Sequence, residues 1–367
     1  MQALTKRLPV TVVTGFLGAG KTTLLRHLLL HGGQRLAVLV NEFGEVGIDG
    51  ALLRSCGFCP DEELDSRLVE LANGCLCCTV QDEFLPTIER LLERADSLDG
   101  IVVETSGLAL PEPLIAALNW PEIRTRIRLN GVVAVVDGEA LAAGAVVANP
   151  AALEAQRLSD PSLDHASDID ELFGEQLEAA DLVLISRADC LSKDALEGVE
   201  RQLAPRLRPG AAVVPMGRGE VSPELVLGMA RASSPAAGEG HHHSHGGDTH
   251  GGDTHEHSHD HTHVAIESVV LQLGGIFERP ALEEKLHHLL LQPGLIRVKG
   301  LLWSPGKARP LQIQAVGTRL ECWYEAGAQG SQAAQPGRLP GLELVFLGFQ
   351  LNRPAIEALL LEGATPP

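Results

Sequence analysis

Aromatic residues are scarce: one Tyr, three Trp and eight Phe make up 3% of 367 residues. The cores must therefore be built from Leu, Val, Ile and Ala, which the 44% apolar fraction supplies. No basic stretch stands out against a formal net charge of −19, which argues against a nucleic-acid or anionic-membrane surface. No transmembrane helix is expected either, because Asp137 and Glu139 interrupt the apolar stretch from Gly131 to Val147. Lys6 and Arg7 followed by an apolar run imitate a signal peptide. That run leads straight into Gly18-Ala19-Gly20-Lys21 without a small-residue cleavage pattern, so a buried first strand explains it better. Seven cysteines in a chain of this size make no disulfide framework, and three of them crowd into Cys75 to Cys78. Reduced thiols in a reducing compartment, and a cytoplasmic protein, are the expectation.

What is present is an alternation of short β-branched runs with longer helical patterns, the signature of an α/β fold with a parallel sheet covered on both faces. Strands are predicted at Val10–Thr14, Leu36–Val40, Arg67–Leu71, Ile101–Val103, Val132–Val136, Leu182–Ile185 and Ala212–Val214. Helices are predicted at Lys21–Leu30, Val80–Glu93, Asp168–Ala179 and Lys193–Leu207. This first domain takes residues 1–230. Residues 231–263 are compositionally different, with ten histidines between His241 and His263 and the sequence His-Gly-Gly-Asp-Thr repeated at His245 and His250. No core can be built from such a segment, which predicts a flexible linker. Residues 264–367 then predict a small α+β domain, with strands at Ile266–Leu273, Leu295–Leu302, Leu311–Val316, Leu320–Trp323 and Leu342–Phe349. Its helices are expected at Ala281–Leu291 and Pro354–Leu361.

Gly15-Phe16-Leu17-Gly18-Ala19-Gly20-Lys21-Thr22 fits a phosphate-binding loop placed between a strand and a helix, with Thr23 following it. Its glycines let backbone N–H groups wrap phosphates, Lys21 reaches the β and γ oxygens, and the Thr22 hydroxyl coordinates Mg²⁺. The strand ending Ile101-Val102-Val103-Glu104 places a carboxylate where such an enzyme puts a second Mg²⁺-organising group. Gly107 can offer its amide to a γ-phosphate. Ser186-Arg187-Ala188-Asp189 follows another apolar strand; Asp189 could accept hydrogen bonds from guanine N1 and N2, or simply cap a helix. Cys75, Cys77 and Cys78, behind the turn pair Asn73-Gly74, can converge on Zn²⁺, Co²⁺ or Cu⁺. Cys56 and Cys59 form a second, weaker Cys-x-x-Cys, whereas Cys190 and Cys322 are expected to be packing residues. His241, His242, His243 and His245 open the histidine tract, for which weak, labile metal binding is a better reading than a tag or an inert linker. Asp164 with His165 is either functional or a surface pair, and His287 and His288 are expected to be structural.

The segments 15–23, Asn41-Glu-Phe-Gly-Glu-Val-Gly-Ile-Asp49, Gly74-Cys-Leu-Cys-Cys78 and Glu104-Thr-Ser-Gly-Leu-Ala-Leu-Pro111 together resemble the CobW metallochaperone family of GTPases, over nearly the whole chain. Leu52-Leu-Arg-Ser-Cys56, Trp120-Pro-Glu-Ile-Arg124 and Ser162-Leu-Asp-His165 resemble the branch of that family that serves cobalamin biosynthesis. The resemblance implies GTP with Mg²⁺, a switch loop over Asn41–Asp49 with Glu42 and Asp49 near the Mg²⁺, and a second switch over Glu104–Gly107. It also implies a transition-metal site at the cysteine loop, and Glu42 is a candidate to position the attacking water. The family usually has Asn or Thr and then Lys where this chain has Ser186 and Arg187, and Arg does not replace Lys over a base without consequence.

The function implied is a GTP-hydrolysing metallochaperone delivering Co²⁺ to a client such as a cobaltochelatase. Zinc delivery to a zinc enzyme is the runner-up, and a passive metal buffer regulated by nucleotide is the rival from another class. A small-molecule kinase accounts for none of the thiols. Neither the oligomeric state nor the choice of metal follows from three thiols, because Zn²⁺ normally out-competes Co²⁺ at such ligands.

Overall fold

The computed structural model describes residues 7–40, 68–70, 84–151, 153–154, 169–228, 266–324 and 339–365. Its first sheet has seven strands, all parallel: β1 (Leu8–Thr14), β2 (Leu36–Val40), β3 (Leu68–Glu70), β4 (Gly100–Glu104), β5 (Ile127–Asp137), β6 (Leu182–Ser186) and β7 (Ala212–Pro215). Their spatial order is β3-β2-β4-β1-β5-β6-β7. The helices between them are α1 (Lys21–His31), α2 (Leu85–Glu93), α3 (Glu112–Ala117), α4 (Gly138–Ala142), α5 (Ile169–Ala179), α6 (Lys193–Leu203) and α7 (Pro223–Leu227).

The strand residues alternate between the two faces, as the pleat requires. Val13 and Val102 face a layer that contains Leu24, Leu25 and Leu28 of α1 and Leu225 to Leu227 of α7. Val10, Val12, Ile101 and Val103 face the opposite layer, with Ile88 and Leu91 of α2 and Leu114 of α3. Both faces are thus closed, and the carboxyl ends of all the strands meet along one edge. That edge positions the site.

Every strand predicted for this sheet is present: four are a residue or two longer, β5 runs from Ile127 instead of Val132, and the described part of β3 is Leu68–Glu70. Helix α6 ends at Leu203 instead of Leu207, because Pro205 lacks the N–H that would continue it; Ala204–Arg206 tighten into a 3₁₀ turn. The described part of α2 begins at Leu85, and residues 80–83 lie outside the described residues.

The second sheet is antiparallel, in the order β11-β10-β9-β12-β8. It comprises β8 (Glu267–Gly274), β9 (Leu295–Trp303), β10 (Leu311–Val316), β11 (Arg319–Tyr324) and β12 (Gly341–Gly348). Helices α8 (Arg279–Leu290) and α9 (Arg353–Leu361) share one core with it through Leu286, Leu289, Ile356 and Leu360. This is the expected α+β arrangement. Ile296 of β9 and Leu347 of β12 instead join the core of the first sheet, so the two sheets are packed together.

Polar groups line that junction. The Arg297 guanidinium is fully buried and donates to the Leu225 carbonyl, to Val226 O at 2.7 Å and to Asn130 O at 3.4 Å. Burial pushes its pKa down to about 9. Asp181, also fully buried, accepts from the Val132 amide at 2.9 Å, from Arg208 at 2.7 Å and from Arg319 of the second sheet at 3.1 Å. Nothing local in the sequence announces either hub, since each bonds across long chain separations.

Two cysteines belong to the described residues. Cys190 is exposed on a 3₁₀ turn, so the expectation that it packs is corrected; a one-turn element leaves no inward face. Cys322 packs at the margin of the second core, as expected. Its burial, then a hydrogen bond to Glu283, push its thiol up to about 12. The folded-state value is raised, so the stability that the neutral thiol supplies is complete below its ordinary pKa of about 8.5. It is lost as pH rises toward about 12. Melting temperatures followed upward from about pH 8.5 should decline less steeply for Cys322→Ser than for the parent. His287 and His288 lie on the exposed side of α8.

Candidate nucleotide site

The loop between β1 and α1 has the backbone that phosphate binding requires. Gly15 sits at φ 133°, where a Cβ would fall 2.1 Å from the Val135 carbonyl oxygen. Gly20, at φ 106°, is the N-cap of α1 in a left-handed conformation that side chains disfavour. Gly18 is also left-handed, and Ala19 is buried beneath it. Lys21 opens α1 and is buried; its Nζ donates to Gly15 O at 2.8 Å and Phe16 O at 3.2 Å. That ammonium lies 3.8 Å from Glu104 Oε1 at the end of β4, also buried. Thr22 is half-buried, and Thr23 lies against Gly219.

The chain after Glu104 is tied directly to this loop. The Thr105 amide donates to Val13 O at 2.9 Å, and its hydroxyl donates to Thr14 Oγ1 at 3.0 Å. A Cβ on Gly107 would stand 2.7 Å from the Leu17 nitrogen, so only glycine allows the two loops to approach this closely. Gln176 of α5, buried, donates to Gly107 O at 3.1 Å and Ala109 O at 3.2 Å and clamps the segment from below. The Ser106 hydroxyl is buried with no hydrogen-bond partner among the described residues.

The third wall comes from β5, β6 and the chain after β7. Ser186 ends β6, and its hydroxyl donates to Val136 O at 3.0 Å. Arg187 adopts a left-handed φ of 55°; its guanidinium donates to the buried Asp137 carboxylate and, at 3.2 Å, to Gly18 O of the phosphate loop. Asp137 raises the Arg187 pKa, against an opposing effect of burial. Asp189 accepts from the Arg218 amide at 3.3 Å. It does not cap α6: that N-cap is Ser192, which accepts from the Ala195 amide.

Lys21, Thr22, Glu104, Gly107, Ser186 and Asp189 therefore gather around one edge. Glu42, Asp49, Cys56, Cys59, Cys75, Cys77, Cys78, Asp164, His165, His241, His242, His243 and His245 lie outside the described residues. Among the described residues no group of three or more His, Cys, Asp or Glu side chains could hold a metal ion. The register fixes where β3 ends relative to Glu104. Val40 pairs with Glu70 on one side and with Glu104 on the other, so β3 ends two strands, about 10 Å, from Glu104.

Sequence reasoning missed Asp137, Gln176 and Arg218. Asp137 was visible as an acid closing an apolar strand, like Glu104. Gln176 carried no signal, because one polar residue in an amphipathic helix is unremarkable in sequence.

A strand–loop–helix with left-handed glycines, a buried lysine and a facing strand-end carboxylate defines a P-loop nucleoside-triphosphate hydrolase. Residues 9–215 match the profile of the CobW/HypB/UreG nucleotide-binding domain, and residues 266–363 match that of the cobalamin synthesis protein cobW C-terminal domain. The chain is 44% identical to zinc chaperone CobW of Pseudomonas aeruginosa, over 97% of this chain and 91% of the relative. It is 39% identical to zinc chaperone CobW of a Sinorhizobium species, over 96% of both chains. Identity to zinc chaperone YjiA of Escherichia coli is 28%, over 95% of this chain and 96% of that one. The chain belongs to the CobW family of P-loop GTPase metallochaperones. These relatives carry zinc in their names, and none of those names mentions cobalt or a cobaltochelatase. No helix among the described residues is long and apolar enough to cross a membrane.

Proposed function

We propose that this chain is a cytoplasmic GTP-driven zinc chaperone, in which residues 1–230 form the switch, 231–263 a histidine-rich linker and 264–367 a C-terminal domain. The observation that carries the reading is the contact of Lys21 with Glu104, which joins the phosphate loop to the segment ending at Gly107. In this reading the P-loop amides from Gly15 to Thr23 and the Lys21 ammonium hold the β and γ oxygens. The Gly107 amide faces the γ-phosphate, Glu42 orients water, and Asp189 reads guanine N1 and N2. A buried carboxylate at Glu104 and the unsatisfied Ser106 hydroxyl suit a hydrated hard cation. Mg²⁺ would be held by Thr22, Asp49 and Glu104, and it supplies neutralisation of phosphate charge.

Zinc is the cargo, bound by Cys75, Cys77 and Cys78, and the imidazoles from His241 onward hold it loosely before transfer to a metal-accepting client. Zinc is chosen over Co²⁺ because the relatives bear that name, and because thiolate sites favour Zn²⁺ in competition. A γ-phosphate that orders the loops after β4 and β2 would close the thiolate site that follows β3, the neighbour of β2, and hydrolysis would loosen it. Zinc affinity, measured by chelator competition, should be at least about tenfold tighter with a non-hydrolysable GTP analogue than with GDP. Cys77→Ser should remove that difference. Equal zinc affinities in the two nucleotide states would sink the proposal.

A further inference from the structure

Asp137 is a buried carboxylate to which the reading above assigns no role. It ends β5, the strand beside the central β1, and both its oxygens are used. Oδ1 accepts from the Ala140 amide at 3.2 Å and so caps α4, while Oδ2 receives Arg187. Arg187 is held on a second side as well, with Nη2 on Gly18 O at 3.2 Å; its Nε lies 3.8 Å from Glu139 Oε2 at the rim. A guanidinium is a rigid planar fork, and one fixed along two of its edges can present only its face. A lysine here would supply a single flexible point charge and need no such anchor.

We propose that Asp137 is a positioning residue for the guanine nucleotide: it fixes the Arg187 guanidinium so that its plane forms one wall of the base site while its edge staples the phosphate loop at Gly18. The proposal rests on the nucleotide-site reading above. It also explains how Arg is accommodated at position 187, because the carboxylate supplies the order that the longer side chain lacks. Ser186, whose hydroxyl bonds back to Val136 O, fixes the start of the same turn.

The test uses the full-length protein and a fluorescent GDP. Asp137→Asn is isosteric and Asn is an equally good helix N-cap, so the fold is retained. The lost charge should weaken GDP binding about ten- to a hundredfold and raise KM for GTP while kcat stays within about twofold. Arg187→Gln, a change at a partly exposed side chain, should give a loss of similar size. The double variant should bind no worse than either single one, since both remove one unit. GDP affinity within about twofold of the parent in Asp137→Asn, or losses that add in the double variant, overturns the proposal. If Asp137→Asn melts appreciably lower, the comparison is made with Arg187→Gln and Arg187→Lys instead; equal affinity of these two with the parent overturns it likewise. Failure of the unaltered chain to bind GDP would refute the nucleotide-site reading itself and is read separately.

Discussion

Replacing Lys21 with Met is expected to lower GTP hydrolysis at saturating nucleotide by about 10²–10³-fold, the loss seen when one preorganised donor to a developing oxyanion is removed. Two carbonyl oxygens of the loop, on Gly15 and Phe16, hold the ammonium in place from the protein side. No reorganisation is therefore needed when phosphate charge develops, which is the condition under which such a donor acts most strongly. Methionine keeps an unbranched side chain one atom shorter and the packing beneath the loop, so the loss should fall on kcat. A second effect runs in the opposite direction from intuition. Glu104 is buried near that ammonium, so deleting the cation also removes a counter-charge from a desolvated carboxylate. The nucleotide-free Lys21→Met protein should thus melt lower than its parent, and Lys21→Met with Glu104→Gln should recover most of the difference. Turnover and thermal melting, measured on the same preparations, separate the two effects. Hydrolysis within about tenfold of the parent would remove Lys21 from the catalytic centre.

The asymmetry between what was legible and what was not has a physical origin. The phosphate loop could be read because its chemistry is local: Gly15, Gly20 and Lys21 are constrained by backbone geometry within one turn of chain. The strands could be read because burial on both faces writes itself as continuous runs such as Val132–Val136 and Leu182–Ile185. In sequence Asp189 could equally cap the following helix, and the structure gives that place to Ser192. By contrast, Asp137 and Gln176 act on partners 50 and 69 residues away, and the hubs at the junction of the two sheets act across up to 138 residues at Asp181 and 167 at Arg297. Composition gives no access to such pairings. The helix at Lys193 ended early for a reason that was readable, Pro205, and the periodic pattern of leucines obscured it.

One strand connects the junction with the nucleotide site. β5 carries Asn130 and Val132 at the end that meets the second sheet, and Asp137 at the end that holds Arg187. The same strand pairs with β1 along its length, so the phosphate loop and the junction share one rigid element. The second sheet is thus joined to the strand that carries Asp137, and buried charge fixes that strand at both ends.

The anchor of that arrangement is Asp181, and Asp181→Ala is expected to destabilise the folded chain by about 3–5 kcal/mol, the cost of leaving buried charges uncompensated. Its carboxylate is fully buried, yet it serves the Val132 amide and two guanidinium groups, one from each side of the junction. Alanine leaves Arg208 and Arg319 facing each other without their shared anion, and like charges in a desolvated seam repel. Arg208 still donates to Thr318 Oγ1 at 2.9 Å, a bond that crosses the junction, so the repulsion should strain this remaining polar tie of the cluster and loosen the seam at Arg319 before it unfolds the first sheet. Urea denaturation followed by two probes, Trp fluorescence and far-ultraviolet circular dichroism, should change from coincident to separated transitions. Asp181→Asn keeps an acceptor for Val132 and should lose less. If Asp181→Ala costs under about 1 kcal/mol with coincident transitions, the cluster behaves as an exposed surface ion pair and the junction is held by its apolar contacts alone. In the expected case the nucleotide site should survive the separation, because Arg187 and Gly18 draw on Asp137 at the far end of β5; GDP affinity measured in urea just past the first transition distinguishes the two ends of the strand.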